Sequence, residues 1–308
     1  MQRLNEFRIF YNQTIHPELL RMERRRRRLL LLFAFTFVLL LAFFFLARFF
    51  NVPTITFFLL IPFGFYLTYL GYKIQQFVAM FKPNVVNLIL DFIDDGLNFG
   101  TLTYNSKQFI PKKEFQRSRI FGSAAHYYNG EDYISGKIGE LDFELCELKV
   151  RELSRVRNRY NYVFRGIFMK ATFNRPLQGS IIILPKKFKQ YLTRSIKSFT
   201  GIGGQLLEAE IVDPRFDELF LTYATPDASP ESILSDDMQR AIAAYRDRYD
   251  KEIYVSFINK DIYVGVTEPK DILEPFIFSS NVSFDLVREF FEDIQLLISI
   301  VQDFDQHD

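Results

Sequence analysis

The residues from Leu29 to Ala47 are LLLLFAFTFVLLLAFFFLA, and none of them is charged. In an α-helix this stretch extends for about 28 Å, which matches the ~30 Å hydrocarbon core of a bilayer. A helix that is apolar on every side over such a length is rare in the core of a soluble protein. The stretch therefore predicts a transmembrane helix.

A run of arginines, Arg24–Arg28, stands immediately before this stretch. The arrangement is similar to the start of a secretory signal peptide, but the apolar run is longer and no small-residue cleavage site follows it. We therefore predict a retained membrane helix rather than a cleaved leader.

A second apolar segment extends from Phe57 to Tyr72 and continues less strictly to Met80. Only residues 51–56 separate the two segments, and Pro53 marks a tight connection between them. Two apolar helices joined so closely predict an antiparallel transmembrane hairpin.

The basic residues around the hairpin predict its orientation. Arginines precede the first helix and Lys73 and Lys82 follow the second, whereas Arg48 is the single charge at the far end. Because basic residues stay on the cytoplasmic side, we predict a two-pass membrane protein with both termini in the cytoplasm. The arginine run serves this topology, and binding of anionic headgroups, at ~1 kcal/mol per residue, is the further interpretation. The contacts predicted here are Arg24, Arg25, Arg26, Arg27 and Arg28.

The rest of the chain alternates between strand-like and helical patterns. An amphipathic helix that continues from the second apolar segment is predicted over Pro83–Gly96. Asn174–Pro176 and Asn259–Asp261 each predict an antiparallel hairpin of their two flanking strands. Ser229, followed by Pro230, is predicted to be the N-cap of a further helix. The predicted strands are 99–104, 133–138, 141–150, 162–173, 178–184, 206–212, 219–223, 252–258 and 262–266, and the helices are 111–121, 186–197, 229–249 and 283–304. Because these elements do not alternate as β-α-β units, the predicted fold class is α+β with a mainly antiparallel sheet.

Three parts of the chain follow from these patterns. Residues 1–28 are predicted to be a cytoplasmic basic and amphipathic segment, residues 29–81 the transmembrane hairpin, and residues 82–308 a cytoplasmic α+β body. The glycine-rich segment 200–205 predicts a boundary within that body. A phosphate-binding role for this segment is disfavoured, since it lacks the Walker lysine and the GxGxxG spacing.

Charge is distributed unevenly along the chain, although the formal net charge is only +1. Residues 1–207 carry 30 basic and 14 acidic side chains, and residues 208–308 carry 8 and 23. Such opposed charges favour docking between parts of the chain, pairing of protomers, or orientation against an anionic leaflet.

A second basic patch contains Arg155, Arg157 and Arg159, close to Tyr160 and Tyr162. We interpret these arginines as lipid or partner contacts, and a solvated connection between strands is the simpler alternative. Arginine next to aromatic residues also suits nucleic acid. That partner is disfavoured because the signatures of nucleic-acid-binding folds are missing.

The sequence shows no catalytic or metal-binding pattern. His126 lies near Ser123, Glu131 and Asp132, but a GxSxG nucleophile motif is missing. One cysteine, Cys146, and 3 histidines cannot supply a typical four-ligand zinc site. We therefore predict no catalytic residue, metal or cofactor, and keep a membrane-bound hydrolase only as an alternative.

Several short motifs occur in an order that resembles a known family. They are Gly130–Ile134 with Gly136, Phe164–Phe168, Leu177–Gly179 closed by Pro185, Val212–Phe216, Phe220–Ala224 and Ile253–Phe257. This order is similar to a bacterial family of uncharacterised membrane proteins, the domain of unknown function numbered 3137. The resemblance implies no activity and no catalytic residues, but the family's association with LemA-type membrane proteins implies a membrane partner. Physically, Gly130 and Gly166 suit turns or bulges in strands better than ligand binding.

The expected function is that of a membrane-anchored, non-enzymatic protein. Its cytoplasmic body is expected to serve protein interaction, scaffolding or regulation in a membrane complex, as a homo-oligomer or with a membrane-protein partner. An anionic-lipid-sensing module is the first alternative. The fold alone does not decide between these functions.

Overall fold

The computed structural model describes residues 2–50, 53–96, 102–138, 141–154, 158–173, 178–187, 189–207 and 211–307. Two compact units result. One comprises Met1–Phe92 and Leu273–Arg288, and the other comprises Ile93–Ile272 and Glu289–Asp308.

The N-terminal unit is built on a long antiparallel helical hairpin. Its helices are α1 (Gln2–Phe10), a π-helical stretch (Tyr11–Ile15), α2 (His16–Phe49) and α3 (Pro53–Gly96). Phe43 contacts Phe63 with ring centroids 5.8 Å apart, and Phe7 contacts Phe92 at 5.2 Å. The 44 residues of α3 extend for about 66 Å, which is roughly twice the hydrocarbon thickness of a bilayer.

Burial divides this hairpin along its length. Large apolar side chains are exposed at the end that carries the uncharged run, including those of Leu31, Phe35, Val38, Phe45, Phe49, Phe58, Ile61 and Phe65. Apolar side chains are buried at the other end, including those of Phe7, Tyr11, Ile15, Leu19, Phe81, Val85 and Ile89. Two helical segments, Arg3–Leu46 and Ile61–Ile93, are long and apolar enough to cross a membrane, and their most apolar windows are 6% and 44% buried.

Residues 83–96 are helical and the helix ends at Gly96, as predicted, but the helix does not begin at Pro83. Helix α3 continues through Pro62 and Pro83 to Gly96. Proline removes one hydrogen bond inside a helix. Val85 and Val86, which follow Pro83, are buried, and this packing offsets the loss.

The segment Leu273–Arg288 completes the N-terminal unit. Phe284 contacts Tyr11 with ring centroids 5.0 Å apart, and Lys82 Nζ lies 3.5 Å from Glu274 Oε1. The sequence-based division assigned this segment to the body 82–308, because its apolar residues show no helical period that would predict the contact.

The second unit contains a nine-stranded sheet with the order β1-β2-β3-β4-β9-β8-β5-β7-β6. The strands are β1 (Thr103–Asn105), β2 (Tyr127–Ile138), β3 (Leu141–Ser154), β4 (Arg159–Thr172), β5 (Ser180–Pro185), β6 (Gln205–Leu206), β7 (Phe220–Ala224), β8 (Ile253–Ile258) and β9 (Asp261–Thr267). All of the described strand pairs are antiparallel, and helices accompany them. The predicted α+β class with a mainly antiparallel sheet is therefore confirmed.

One predicted strand pairing was wrong. The strands on either side of residues 174–177 are not neighbours, because β4 pairs with β3 and β9 while β5 pairs with β7 and β8. The predicted hairpin of β8 and β9 is confirmed, with Ile258 opposite Asp261. Asn259 takes a positive φ of 58° in this tight turn, a conformation that asparagine tolerates well.

An aromatic core covers one face of the sheet. It contains Phe115 of α4 (Lys112–Arg117), Leu192 and Phe199 of α5 (Gln190–Thr200), and strand residues such as Phe164 and Phe168. The rings of Phe115 and Phe121 stack with centroids 4.7 Å apart. Aromatic pairs of this kind add about 0.5–1.5 kcal/mol to the free energy of burial.

The predicted helix over 229–249 is broken into two. The remaining helices are α6 (Pro214–Leu219), α7 (Pro230–Ile233), α8 (Asp236–Tyr249) and α9 (Phe284–His307). Ser235 takes extended dihedrals and its Oγ accepts a hydrogen bond from Met238 N at 3.1 Å. This N-cap starts α8 six residues after the predicted cap at Ser229.

Candidate functional site

The predicted arginine run lies at the base of the exposed apolar half of the hairpin. Arg24, Arg25, Arg27 and Arg28 are exposed, whereas Arg26 is buried at 6% relative exposure. Four of the five predicted side chains are therefore accessible to a ligand. The fifth, Arg26, is buried and contacts other residues of the protein instead.

Arg26 holds a loop of the same unit. Its guanidinium pairs with Glu23 at 2.6 Å, and Nη1 donates to the carbonyl oxygen of Ile277. The side chain of Asn281 braces the loop further, since its Oδ1 accepts from Phe276 N at 2.6 Å and its Nδ2 donates to Phe276 O at 2.9 Å. Sequence reasoning missed this role because the two segments are 251 residues apart.

We expect the substitution Arg26→Ala to loosen this loop, while Arg25→Ala leaves it unchanged. A hydrogen bond from a charged donor contributes about 1.5–3 kcal/mol, so amide exchange at Phe276 should accelerate roughly tenfold or more. Hydrogen–deuterium exchange of the full chain in detergent micelles measures this rate. Equal exchange in both variants would contradict the role assigned to Arg26.

A second exposed cluster lies at one end of β2, β3 and β4, and we name it the tyrosine–arginine surface. It consists of Tyr127, Arg151, Arg159, Tyr160 and Tyr162. The guanidinium of Arg151 lies 4.4 Å from the ring centroid of Tyr162 and 5.2 Å from that of Tyr127. These cation–π contacts hold the exposed rings in place.

The predicted residues of this region have different outcomes. Arg159 is described and exposed on β4, where it pairs with Ser154 across the strands. Arg155 and Arg157 lie outside the described residues. Tyr127 was not predicted, because only the strand register places it opposite Arg151.

Three carboxylates lie together on β2 and β3. Oxygens of Glu131, Asp132 and Glu147 lie within 4.8 Å of one another. Lys149 Nζ lies 3.0 Å from Glu131, 3.7 Å from Glu147 and 2.6 Å from Asp271, and these charges raise the pKa of Lys149. The ammonium supplies the positive charge that a metal ion would otherwise provide, so we interpret the group as an internal ion network.

An open cleft of about 450 Å³ lies at the ends of β2, β3 and β4 that are opposite to the tyrosine–arginine surface. Its lining is mixed polar and apolar and carries both signs of charge, with Lys137, Asp142, Glu144 and Lys170 among the lining residues. The hydroxyl of Tyr133 donates to Glu144 at 2.7 Å, and burial with this hydrogen bond raises the pKa of Tyr133 to about 12. The cleft offers hydrogen-bonding groups. Lys137 pairs with Asp142 at 3.8 Å inside the cleft, and Lys170 pairs with Glu114 at 2.9 Å outside it.

A buried ion cluster surrounds Lys251. Its Nζ lies 2.9 Å from both carboxylate oxygens of Asp293, 2.7 Å from Glu268 and 3.0 Å from Glu289, and Tyr245 donates to Asp293. Burial is the largest influence on Asp293 and raises its pKa to about 6. Because Lys251 is only 4% exposed, this cluster serves stability rather than contact with a ligand.

The residues considered for hydrolysis have other hydrogen-bond partners. His126 Nδ1 accepts from Leu153 N at 3.3 Å, and Ser123 Oγ accepts from Ala125 N at 3.1 Å. Cys146 is a buried free thiol whose Sγ accepts from Ile110 N at 3.3 Å, and burial raises its pKa. Within the described contacts, these groups do not form a nucleophile–base pair.

Part of this chain resembles a known family. Residues 162–306 match the family model described as "Protein of unknown function (DUF3137)". This match confirms the family resemblance over those residues, which include all the motifs from Phe164 onward. The motif at Gly130–Ile134 lies outside the match.

The comparison with solved structures gives a more distant likeness. The crystal structure of the mycobacterial trehalose monomycolate transport factor A, TtfA, is 10% identical, with a TM-score of 0.31, over 64% of this chain and 88% of that one. This TM-score is too low to support a shared fold. No curated protein matches the chain.

Proposed function

We propose that this chain is a two-pass protein of a bacterial inner membrane, anchored by the exposed half of its hairpin, with both termini in the cytoplasm. The observation that carries the anchoring is the uncharged run from Leu29 to Ala47, whose apolar side chains face outward. Exposed arginines at one end of this run and the tight connection at the other support the orientation.

The function that we propose for the second unit is non-enzymatic binding of a protein partner, either a second copy of this chain or a membrane protein of the LemA type. The tyrosine–arginine surface supports this proposal. Tyr160 and Tyr162 are about half exposed, at 54% and 47%, and Arg159 is exposed beside them. Tyrosine and arginine are the residue types that contribute most often to binding hot spots.

We expect the double variant Arg159→Glu, Tyr160→Ser to lose its partner. A hot-spot residue contributes about 2 kcal/mol or more, so the dissociation constant should rise roughly 30-fold or more. The measurement is the mass of the complex purified from native membranes in detergent, compared with the matched variant Ile202→Ser, Arg240→Glu. Ile202 and Arg240 are exposed residues outside this surface.

Both variants must remain in washed membranes for the comparison to count. A strict monomer without any co-purifying protein, already in the unsubstituted chain, would contradict the binding function. Equal loss in both variants would show that the tyrosine–arginine surface is not the binding site.

The alternative is an anionic-lipid sensor that uses the same surface. Exposed Arg159 and half-buried Arg151 supply positive charge of the kind that this function needs. The test uses the full chain in zwitterionic nanodiscs, because the fragment 83–308 would separate Leu273–Arg288 from the helices of its own unit. Binding of added anionic vesicles that is lost in Arg159→Glu, Tyr160→Ser would favour the sensor.

A further inference from the structure

The loop that Arg26 holds carries two exposed phenylalanines. Phe278 is 89% exposed and Phe276 is 57% exposed, although both belong to the N-terminal unit. Exposed aromatic side chains on neighbouring positions of one loop indicate a contact surface rather than a chance exposure.

The loop lies level with the start of the uncharged run. Ile277, between the two phenylalanines, shares a small apolar pocket with Leu29, Leu30, Ile74 and Phe77. Leu29 and Leu30 are the first residues of the run, so the loop is placed beside the first turn of the helix that we propose to enter the bilayer.

The neighbouring residues have the chemistry of a membrane interface. Arg25 and Arg28 are exposed on α2, and Tyr69 and Tyr72 are exposed on α3. Basic and tyrosine side chains prefer the headgroup level of a bilayer, and bulky aromatic side chains insert just below it.

We propose that Phe276 and Phe278 insert into the bilayer interface, so that this loop is a second membrane contact besides the hairpin. This proposal rests on the anchoring proposed above. The occupant of the loop surface is lipid, because Ile277, between the two phenylalanines, lies against Leu29 and Leu30, where the exposed uncharged run begins. The exposed arginines that precede this run on α2 suit anionic headgroups at the same level.

The chain contains no tryptophan, so one introduced tryptophan reports on a single position. The probes are Phe278→Trp and Phe276→Trp in the loop, Phe45→Trp in the uncharged run and Ile9→Trp on α1. Ile9 is 57% exposed in the same unit and lies about 30 Å along the helix from Leu29. Each full-length variant is placed in nanodiscs of phosphatidylcholine and phosphatidylglycerol, with and without bromine on the acyl chains.

We expect brominated lipid to quench the fluorescence of Phe45→Trp and of both loop variants, with little loss in Ile9→Trp. Quenching of Phe45→Trp alone would overturn the loop insertion and leave the anchoring intact, and a blue-shifted but unquenched loop tryptophan would show a protein contact instead. Quenching of Ile9→Trp as strong as that of the loop variants would also overturn the loop insertion, since α1 would then contact the lipid as closely as the loop does. Absence of quenching in Phe45→Trp would overturn the anchoring itself.

Discussion

The substitution Lys251→Met is expected to lower the free energy of unfolding by about 3–5 kcal/mol. Removing one partner of a buried ion pair leaves the opposite charge without compensation, which costs more than the pair itself contributes. Lys251 faces three carboxylates, two of which, on Glu268 and Asp293, are at most 9% exposed. Domains are stable by about 5–15 kcal/mol, so this loss is a large share of the total.

The measurement is urea unfolding of the full chain in detergent micelles, followed by far-ultraviolet circular dichroism. The control removes the stranded charges as well, in the triple variant Lys251→Met, Glu268→Gln, Asp293→Asn. The triple variant should recover most of the loss, even where Lys251→Met alone fails to fold, because its two buried carboxylates are neutral. The third carboxylate, on Glu289, keeps its charge but is half-exposed to water. A single variant within about 0.5 kcal/mol of the original chain would show that the cluster is not buried as described.

The deficit of Lys251→Met should shrink as the pH falls. Burial holds the pKa of Asp293 at about 6, above the unfolded value of roughly 3.9, so protonation of Asp293 favours the folded state. This contribution is complete below about pH 4 and is lost as the pH rises through 6. Without the ammonium of Lys251, the pKa of Asp293 rises further. The difference in free energy of unfolding between the original chain and Lys251→Met should therefore be smaller at about pH 5 than at about pH 8.

Local patterns predicted the elements that depend on local physics. The uncharged run, the turn between β8 and β9 and the helical period of α9 each follow from neighbouring residues, and the structure contains all three. The break between α7 and α8 was missed because Ser229 and Ser235 both have N-cap chemistry. Sequence alone does not show which serine Oγ accepts the hydrogen bond.

The elements that depend on distant residues could not be predicted. The segment after β4 indicates a chain reversal, but β9 and β8 occupy the sheet between β4 and β5. Asp271 pairs with Lys149 although both resemble solvated surface charges in the sequence. Ion pairs inside the second unit therefore neutralise part of the acidic excess of residues 208–308. Counting charges along the chain cannot show this.

The substitution Gly166→Ala is expected to cost at least about 3 kcal/mol and to disturb the pairing of β4 with β9. Gly166 has a φ of +149°, which side-chain-bearing residues rarely adopt. A Cβ atom there would lie 2.0 Å from Val266 O and 2.7 Å from Glu268 N, so the backbone itself must move. The glycine is required by this close approach of two strands, and not by the turn or bulge predicted from its motif, since the register of β4 with β9 is unbroken from Gly166 to Thr172.

This approach also positions the buried ion cluster. Glu268 N donates to Arg165 O at 2.8 Å, directly beside Gly166, and the side chain of Glu268 then reaches Lys251 at 2.7 Å. Displacing the end of β9 therefore weakens two features at once, and we expect Gly166→Ala to be less than additive with Lys251→Met.

Two matched substitutions separate this effect from a general intolerance of alanine. At Gly265, on the neighbouring strand, the three atoms nearest to a Cβ would be ring atoms, two of Phe164 at 3.1 and 3.3 Å and one of Phe168 at 3.7 Å. Side chains rather than backbone would have to move, so Gly265→Ala should cost distinctly less. At Gly71 the space is open within 4 Å, and alanine is the better helix former by about 1 kcal/mol. Urea unfolding should give the lowest free energy of unfolding for Gly166→Ala, a much higher one for Gly265→Ala and the highest for Gly71→Ala. Equal stability of all three would mean that β9 does not approach β4 at Gly166, and the position assigned to Glu268 beside Lys251 would be wrong as well.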